Sequence, residues 1–347
     1  MKSPLAGRTY RGKRLLFAAL AVFALLAFAA CSPVGPQDYI GSQEGSQASR
    51  SDQLWDLTFG IAAVIFVIVE GLLVFTLFKF RQRPGREAAQ FHGNTKLEII
   101  LTIIPSLIMA GIAVPTVQAI FDNSAKAEGA LEIKVVAHQF WWEYQYPDQD
   151  LVTANELHLP VDQPVHLTIE AATEDVIHSF WIPRLAGTQD AVPGRINTLN
   201  FVPEETGTFW GQCKEFCGLS HANMRLRVHV EEQGDFDQWV AEQQAPAAAA
   251  SAEVAQGEEL FMQSACAGCH AIEGTNAAGT IGPNLTHFAS RETFAGAMFR
   301  RTDENLNQWV ANAPDMKPGV TMPSGIEELG LSQEDVDAIV AYLQTLK

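Results

Sequence analysis

Hydrophobic positions change their spacing several times along this chain. Arg8, Arg11, Lys13 and Arg14 form a basic stretch ahead of an apolar run from Leu15 to Ala30. That run is shorter than a membrane span, so residues 1–30 read as an export signal. Residues 31–53 are rich in Ser, Gln and Gly and predict an exposed linker. From Leu54 to Phe78 the only ionisable residues are Asp56 and Glu70. As a helix this stretch would be about 37 Å long, enough to cross a bilayer with tilt. A second apolar stretch, Leu97 to Phe121, carries Pro105 and Pro115, which membrane helices tolerate better than soluble ones. Residues 54–121 therefore predict a transmembrane hairpin. Its connecting loop holds Lys79, Arg81, Arg83, Arg86 and Lys96 against the single acid Glu87. The positive-inside rule puts that loop in the cytoplasm and everything after Phe121 on the outer face. A mid-membrane carboxylate such as Glu70 has to face protein or water, and a polar contact to a neighbouring helix is the expected reason for it.

Beyond Ala130 the period becomes two. Leu131 to Val135, Val165 to Glu170 and Arg225 to Val230 alternate apolar and polar positions, and Pro147, Pro160, Pro164, Pro183, Pro193, Pro203 and Gly207 punctuate the intervals. Short strands with such turns predict a β-sandwich over 122–241. Residues 242–252 are an alanine-rich linker. Residues 253–347 then read as a separate helical domain. Ser332 to Asp335 predicts a capping box, and Ile339, Tyr342, Leu343 and Leu346 form a helical apolar stripe behind it.

Charge narrows the function. The 347 residues carry 23 basic and 40 acidic side chains, a formal net charge of −17. That excludes the basic footprint nucleic-acid binding needs. Five cysteines are too few for a disulfide scaffold, and their spacing suggests metals and cofactors.

Cys213, Cys217, His221 and Met224 fall in one short run, and His178 is the best candidate for a second imidazole. Thiolate and thioether are soft ligands suited to copper. A single blue-copper site needs only one thiolate, whereas two could bridge two copper ions with one His on each. A Cys213–Cys217 disulfide or a Cys2His2 zinc site is the alternative, although neither needs Met224. Further on, Cys266-Ala267-Gly268-Cys269-His270 is a c-type haem attachment motif, with His270 as the proximal iron ligand. The distal ligand has to come from downstream, where His287, Met298, Met316 and Met322 are available. A Met opposite His suits electron transfer rather than oxygen binding.

These motifs carry a resemblance. The run from Cys213 to Met224 resembles the binuclear copper loop of cytochrome c oxidase subunit II, and His138 to Tyr146, Asp175 to Phe180 and Asp190 to Arg195 resemble other segments of that family. Lys317 to Pro323 and Gly282 to Leu285 resemble the distal and proximal loops of class I cytochromes c. Phe28-Ala29-Ala30-Cys31 resembles a bacterial lipoprotein cleavage site, making Cys31 a lipidation candidate.

The resemblance implies a multidomain chain of two transmembrane α-helices, a cupredoxin-like β-sandwich and an all-α cytochrome c domain. The copper ligands it implies are His178, Cys213, Glu215 through its carbonyl, Cys217, His221 and Met224. The Glu215 side chain would reach a magnesium ion shared with a catalytic subunit. Cys266 and Cys269 would hold haem c covalently, with His270 and Met322 as axial ligands. Glu98 matches a carboxylate near a proton pathway, or is simply an acid at a helix start. The family often carries Trp where electrons enter, and this chain has Phe140, which leaves Trp141 and Trp142 as candidates. The resemblance further implies that Gly257 lets the terminal helices of the cytochrome domain cross at Tyr342.

The function expected is subunit II of a haem-copper terminal oxidase in a bacterial cell membrane, with its C-terminal domains on the outer face. Its partners would be catalytic subunit I, further oxidase subunits, the lipid bilayer, and an upstream donor such as cytochrome c or quinol-cytochrome c reductase. No oxygen site lies on this chain, and oxygen chemistry belongs to the partner. The alternative is a membrane-anchored copper and haem electron carrier not tied to an oxidase.

Overall fold

The computed structural model describes residues 21–22, 43–85, 90, 92–247 and 251–347. The basic stretch at Arg8 to Arg14, Cys31 and Arg86 lie outside the described residues.

Two long helices come first, α1 (Ser46–Lys79) and α2 (Thr95–Ser124), and both are long and apolar enough to cross a membrane. Pro105 and Pro115 both lie inside α2, as expected of a membrane helix. Glu98 sits in the first turn of α2, where Asn94 caps the helix by accepting from the Leu97 amide at 3.2 Å. Glu70 lies on the exposed surface of α1.

The start of α1 corrects the linker expected over 31–53. Hydropathy alone put the helix start at Leu54, but the helix begins at Ser46 and its polar first turns are gripped by the β domain. Ser46 N–H donates to Val202 O at 2.9 Å, Ser46 Oγ accepts from Val202 N at 3.0 Å, and Gln47 Oε1 accepts from Gly187 N at 2.7 Å. Just before the helix, Gly45 pairs with Pro203 in a β-bridge. Hydrogen bonds to a distant part of the chain order these polar residues, and hydropathy does not register such partners.

The β domain is a sandwich of two five-stranded sheets. Its strands in chain order are β1 (Leu131–His138), β2 (Trp141–Tyr146), β3 (Leu151–Ala154), β4 (Glu156–Pro160), β5 (Val165–Ala171), β6 (His178–Trp181), β7 (Thr188–Ala191), β8 (Asn197–Phe201), β9 (Gly207–Cys213) and β10 (Arg225–Glu231). One sheet has the order β3-β2-β1-β5-β8 and the other β4-β10-β9-β6-β7. Alternation along β1 sends Leu131, Ile133 and Val135 inward, where they meet Leu157, Phe180, Leu226 and Val228 of the facing sheet in one apolar core. A helix, α3 (Gln233–Gln243), closes the domain and buries Phe236.

The last domain contains α4 (Ala255–Gln263), the single turn α5 (Cys266–Cys269), a short hairpin of β11 (Thr293–Phe294) and β12 (Phe299–Arg300), then α6 (Asp303–Met316) and α7 (Gln333–Leu343). Helix α7 opens on the expected capping box between Ser332 and Asp335. Helices α4 and α7 cross at Gly257. A Cβ there would lie 2.0 Å from Ala338 O and 3.0 Å from Tyr342 Cβ, so only glycine allows this approach. Phe261 then meets Tyr342 edge-on at 6.0 Å. Helix α6 loses helical geometry at Asn312, just ahead of Pro314, and the chain leaves it toward Lys317 and Met322.

Candidate copper and haem sites

Strand β6 delivers His178, strand β9 ends on Cys213, and the loop before β10 supplies Cys217, His221 and Met224. The pairing of Phe180 with Cys213 places these strand ends side by side. Cys213 Sγ lies 3.9 Å from Cys217 Sγ, 3.9 Å from His178 Nδ1 and 3.2 Å from Glu215 O. Cys217 Sγ lies 3.7 Å from His221 Nδ1 and 3.9 Å from Met224 Sδ. All six donors expected from the sequence therefore surround one small volume. A disulfide would hold its sulfurs about 2.05 Å apart, so Cys213 and Cys217 are two free thiols here.

The chemistry of this donor set fits copper. Two thiolates, two imidazoles, a thioether and a carbonyl make a soft cage. Without metal the two thiols behave unequally. The hydrogen bond from Cys217 lowers the Cys213 pKa to about 4, and the resulting thiolate pushes that of Cys217 upward. A cation is needed to hold both as thiolates at once.

Residues outside the sequence-derived ligand set pin these donors. Asp175 Oδ1 lies 3.1 Å from His178 Nε2, which turns Nδ1 toward the sulfurs. Burial would raise the Asp175 carboxyl, but hydrogen bonds from His178, Val176 and Gln139 outweigh it and hold the group below the usual carboxylate range. Gln139 also donates through Nε2 to Cys217 O. Trp142 is fully buried and meets Phe180 edge-on at 5.1 Å and His178 at 6.2 Å. Trp141 instead stacks on His138 at 4.2 Å. By contrast, Lys214, Glu215 and Phe216 point outward, and Phe216 is 76% exposed.

In the last domain Cys266, Cys269, His270 and Met322 all line one apolar cleft. Leu285, Ile339 and Leu343 add to its lining. His270 Nδ1 donates to Pro283 O at 2.8 Å, which leaves Nε2 for an iron ligand. Burial lowers the His270 pKa and keeps the imidazole neutral. The apolar walls, the paired thiols, and an imidazole and a thioether lining the same cleft fit a covalent haem. His287, Met298 and Met316 do not line this cleft.

The cleft has a second set of walls that sequence reasoning missed. Gln139, Phe140, Trp141 and Asn155 of the β domain also line it. The ring of Phe140 packs against Gly218, beside Cys217. Gly218 has φ +131°, and a Cβ there would lie 3.1 Å from Phe140 Cζ. Lys317 is 2% exposed and spans the seam between the domains, donating to Phe140 O at 2.7 Å and to Ala295 O at 2.8 Å. Burial pulls its pKa down to about 7. Ser220 Oγ donates to Pro318 O at 2.6 Å, and Arg225 N–H donates to Gly296 O at 3.1 Å. Buried Glu156 accepts from Glu292 N at 3.0 Å, Thr293 N at 2.6 Å and Thr293 Oγ1 at 2.6 Å. No local motif marks these residues, because their partners lie in another domain.

Residues 39–119 match the family described as cytochrome c oxidase subunit II, transmembrane domain, and residues 149–231 match its periplasmic domain. Residues 254–347 match the cytochrome c family. The chain is 36% identical over 313 residues to cytochrome c oxidase subunit 2 of Alkalihalophilus pseudofirmus, covering 88% of this chain and 89% of that relative. The chain belongs to the cytochrome c oxidase subunit 2 family. The Bacillus subtilis member is 33% identical, covering 86% of this chain and 89% of its own length. Among solved structures, the periplasmic domain of subunit II of cytochrome oxidase from Bradyrhizobium japonicum is 32% identical and covers 34% of this chain and 96% of its own, with a TM-score of 0.33. Membership makes the chain a subunit of a haem-copper oxidase, and its two families imply copper and haem c in general.

Proposed function

We propose that this subunit carries its own electron donor docked against a binuclear copper centre. Bound haem c and two copper ions would supply one-electron carriers, relaying electrons from an upstream donor to catalytic subunit I, where oxygen is reduced to water. His178, Cys213, Glu215 O, Cys217, His221 and Met224 hold the copper. Cys266, Cys269, His270 and Met322 hold the haem.

The observation that carries this reading is the shared wall. Phe140 and Trp141 belong to the copper domain yet line the haem cleft, and the Phe140 ring packs on the residue after Cys217. Phe140 itself thus stands between the two sites, which accounts for this chain working without Trp at that position. Trp142 packs on the copper ligand His178 rather than lining the cleft, so Trp141 is the better placed of the two tryptophans expected from the sequence. Lys317 fixes the seam. A tether alone raises effective concentration, and a buried amine that donates to both domains adds one orientation to it.

The exposed Lys214-Glu215-Phe216 face is where subunit I would sit, with the Glu215 carboxylate reaching a shared magnesium ion. The basic loop between α1 and α2 supports a topology in which both soluble domains lie on the outer face of a bacterial membrane. In that topology Glu98, at the start of α2, would lie on the cytoplasmic side, which supports its reading as a proton-path carboxylate. Cys31 would add a lipid anchor.

The test is the rate of haem c reoxidation in the intact oxidase after rapid reduction by an external donor. Lys317→Met leaves all ligands in place, and the expected outcome is roughly a tenfold slowing, as it removes two buried hydrogen bonds that each contribute about 0.5–1.5 kcal/mol. Unchanged haem and copper spectra would accompany it. A rate equal to the parent's overturns the docked arrangement.

A further inference from the structure

We propose that Glu156, His158 and His229 form a zinc site on the β domain, separate from the copper centre. Strands β4 and β10 run parallel with His158 opposite His229. Glu156 lies two places before His158, on the same face of its strand. One ligand atom from each of the three side chains lies within 4.8 Å of the others. His229 Nε2 lies 3.9 Å from Glu156 Oε2.

The independent observation is His229 itself. Its residue is 9% exposed, and its Nε2 is buried without a hydrogen-bond partner. Buried polar atoms are nearly always paired, and an orphan aimed at a carboxylate points to something that joins them. The other ring nitrogens are already occupied. His229 Nδ1 lies 3.3 Å from Thr208 Oγ1, and His158 Nδ1 lies 3.2 Å from Glu231 Oε2. His158 is further fixed by stacking on Trp239 at 4.2 Å. An oxygen partner behind each ligating imidazole is the outer arrangement that metal sites use to orient their histidines.

Two imidazoles and one carboxylate are a zinc donor set that leaves a fourth position open. With neither thiolate nor thioether, the set does not favour cuprous copper. Zinc bonds of about 2.0–2.1 Å put tetrahedral ligand atoms about 3.3 Å apart, so the His229–Glu156 pair closes by about 0.6 Å, no pair closes by more than about 1.5 Å, and His158, stacked on His229 at 4.7 Å, turns its ring toward the metal. Glu156 also receives the cytochrome loop at Glu292 and Thr293, so the ion would lie beneath the seam between the two redox domains.

The experiment uses the intact, detergent-solubilised oxidase with copper and haem loaded, washed with chelator and then titrated with zinc chloride against a chromophoric chelator. His158→Gln and His229→Gln are compared with the parent, and copper and haem contents are measured in all three. The expected result is one more tightly held zinc in the parent than in either variant, with affinity at that site at least about tenfold lower in both. Zinc-edge absorption should show imidazole and oxygen scattering. Equal zinc retention in parent and variants overturns the site, as does sulfur scattering from the extra zinc. Copper and haem contents equal to the parent's show that a variant is folded, and either variant alone keeps the test valid if the other fails to fold.

Discussion

The copper loop and the haem cleft hold their ligands in opposite ways. At the copper loop the donors converge on one small volume. Sulfurs and imidazole nitrogens stand 3.7–3.9 Å apart, and Asp175 and Gln139 pin them from behind. In the cytochrome domain His270 and Met322 both line an apolar cleft, and the helix crossing at Gly257 lies elsewhere in the domain. A small ion brings no apolar surface of its own, so the protein has to fix every donor. A large macrocycle contributes its own burial, and the protein needs only to shape the space.

This contrast can be broken by separating the two sites genetically. The largest effect is expected from Cys217→Ser, which removes one of the two thiols proposed to hold copper. Copper and its mixed-valence paramagnetic signal should be lost, while covalent haem is retained at parental level by haem-stained gel. Loss of both cofactors would show that the sites do not assemble independently. A smaller effect is expected from Asp175→Asn, which keeps the shape but removes the charge behind His178. Copper affinity should fall about 10–100-fold in a chelator competition. The smallest is Gly257→Ala, which forces a methyl onto Ala338 O. It should cost the cytochrome domain about 1–3 kcal/mol, read as a lower melting temperature, with copper content unchanged.

What was legible in the sequence follows the same division. The run Cys213 to Met224 could be read because its soft donors are near neighbours in the chain, and Cys266 to His270 because two thiols and an imidazole keep the spacing of a haem attachment motif. The strands of the β domain announced themselves by alternation, and the membrane helices by length and hydropathy. Lys317, Glu156 and Asp175 could not be read that way. Lys317 meets Phe140 across 177 positions and Glu156 meets Thr293 across 137, so their meaning exists only once two domains have docked. Asp175 was visible as part of a resembling segment, but its hold on His178 depends on the turn before β6. The start of α1 was hidden for a related reason, since Ser46 and Gln47 are ordered by partners near Gly187 and Val202.

That last grip has a mechanical consequence. Helix α1 has 34 residues and is therefore about 51 Å long, whereas a bilayer's hydrocarbon core is about 30 Å thick. The surplus is a stiff mast rising out of the membrane, and the β domain is clamped to its tip. The height of the copper ligands above the lipid is thereby set by a rod rather than by a slack leash, and every turnover begins from the same altitude.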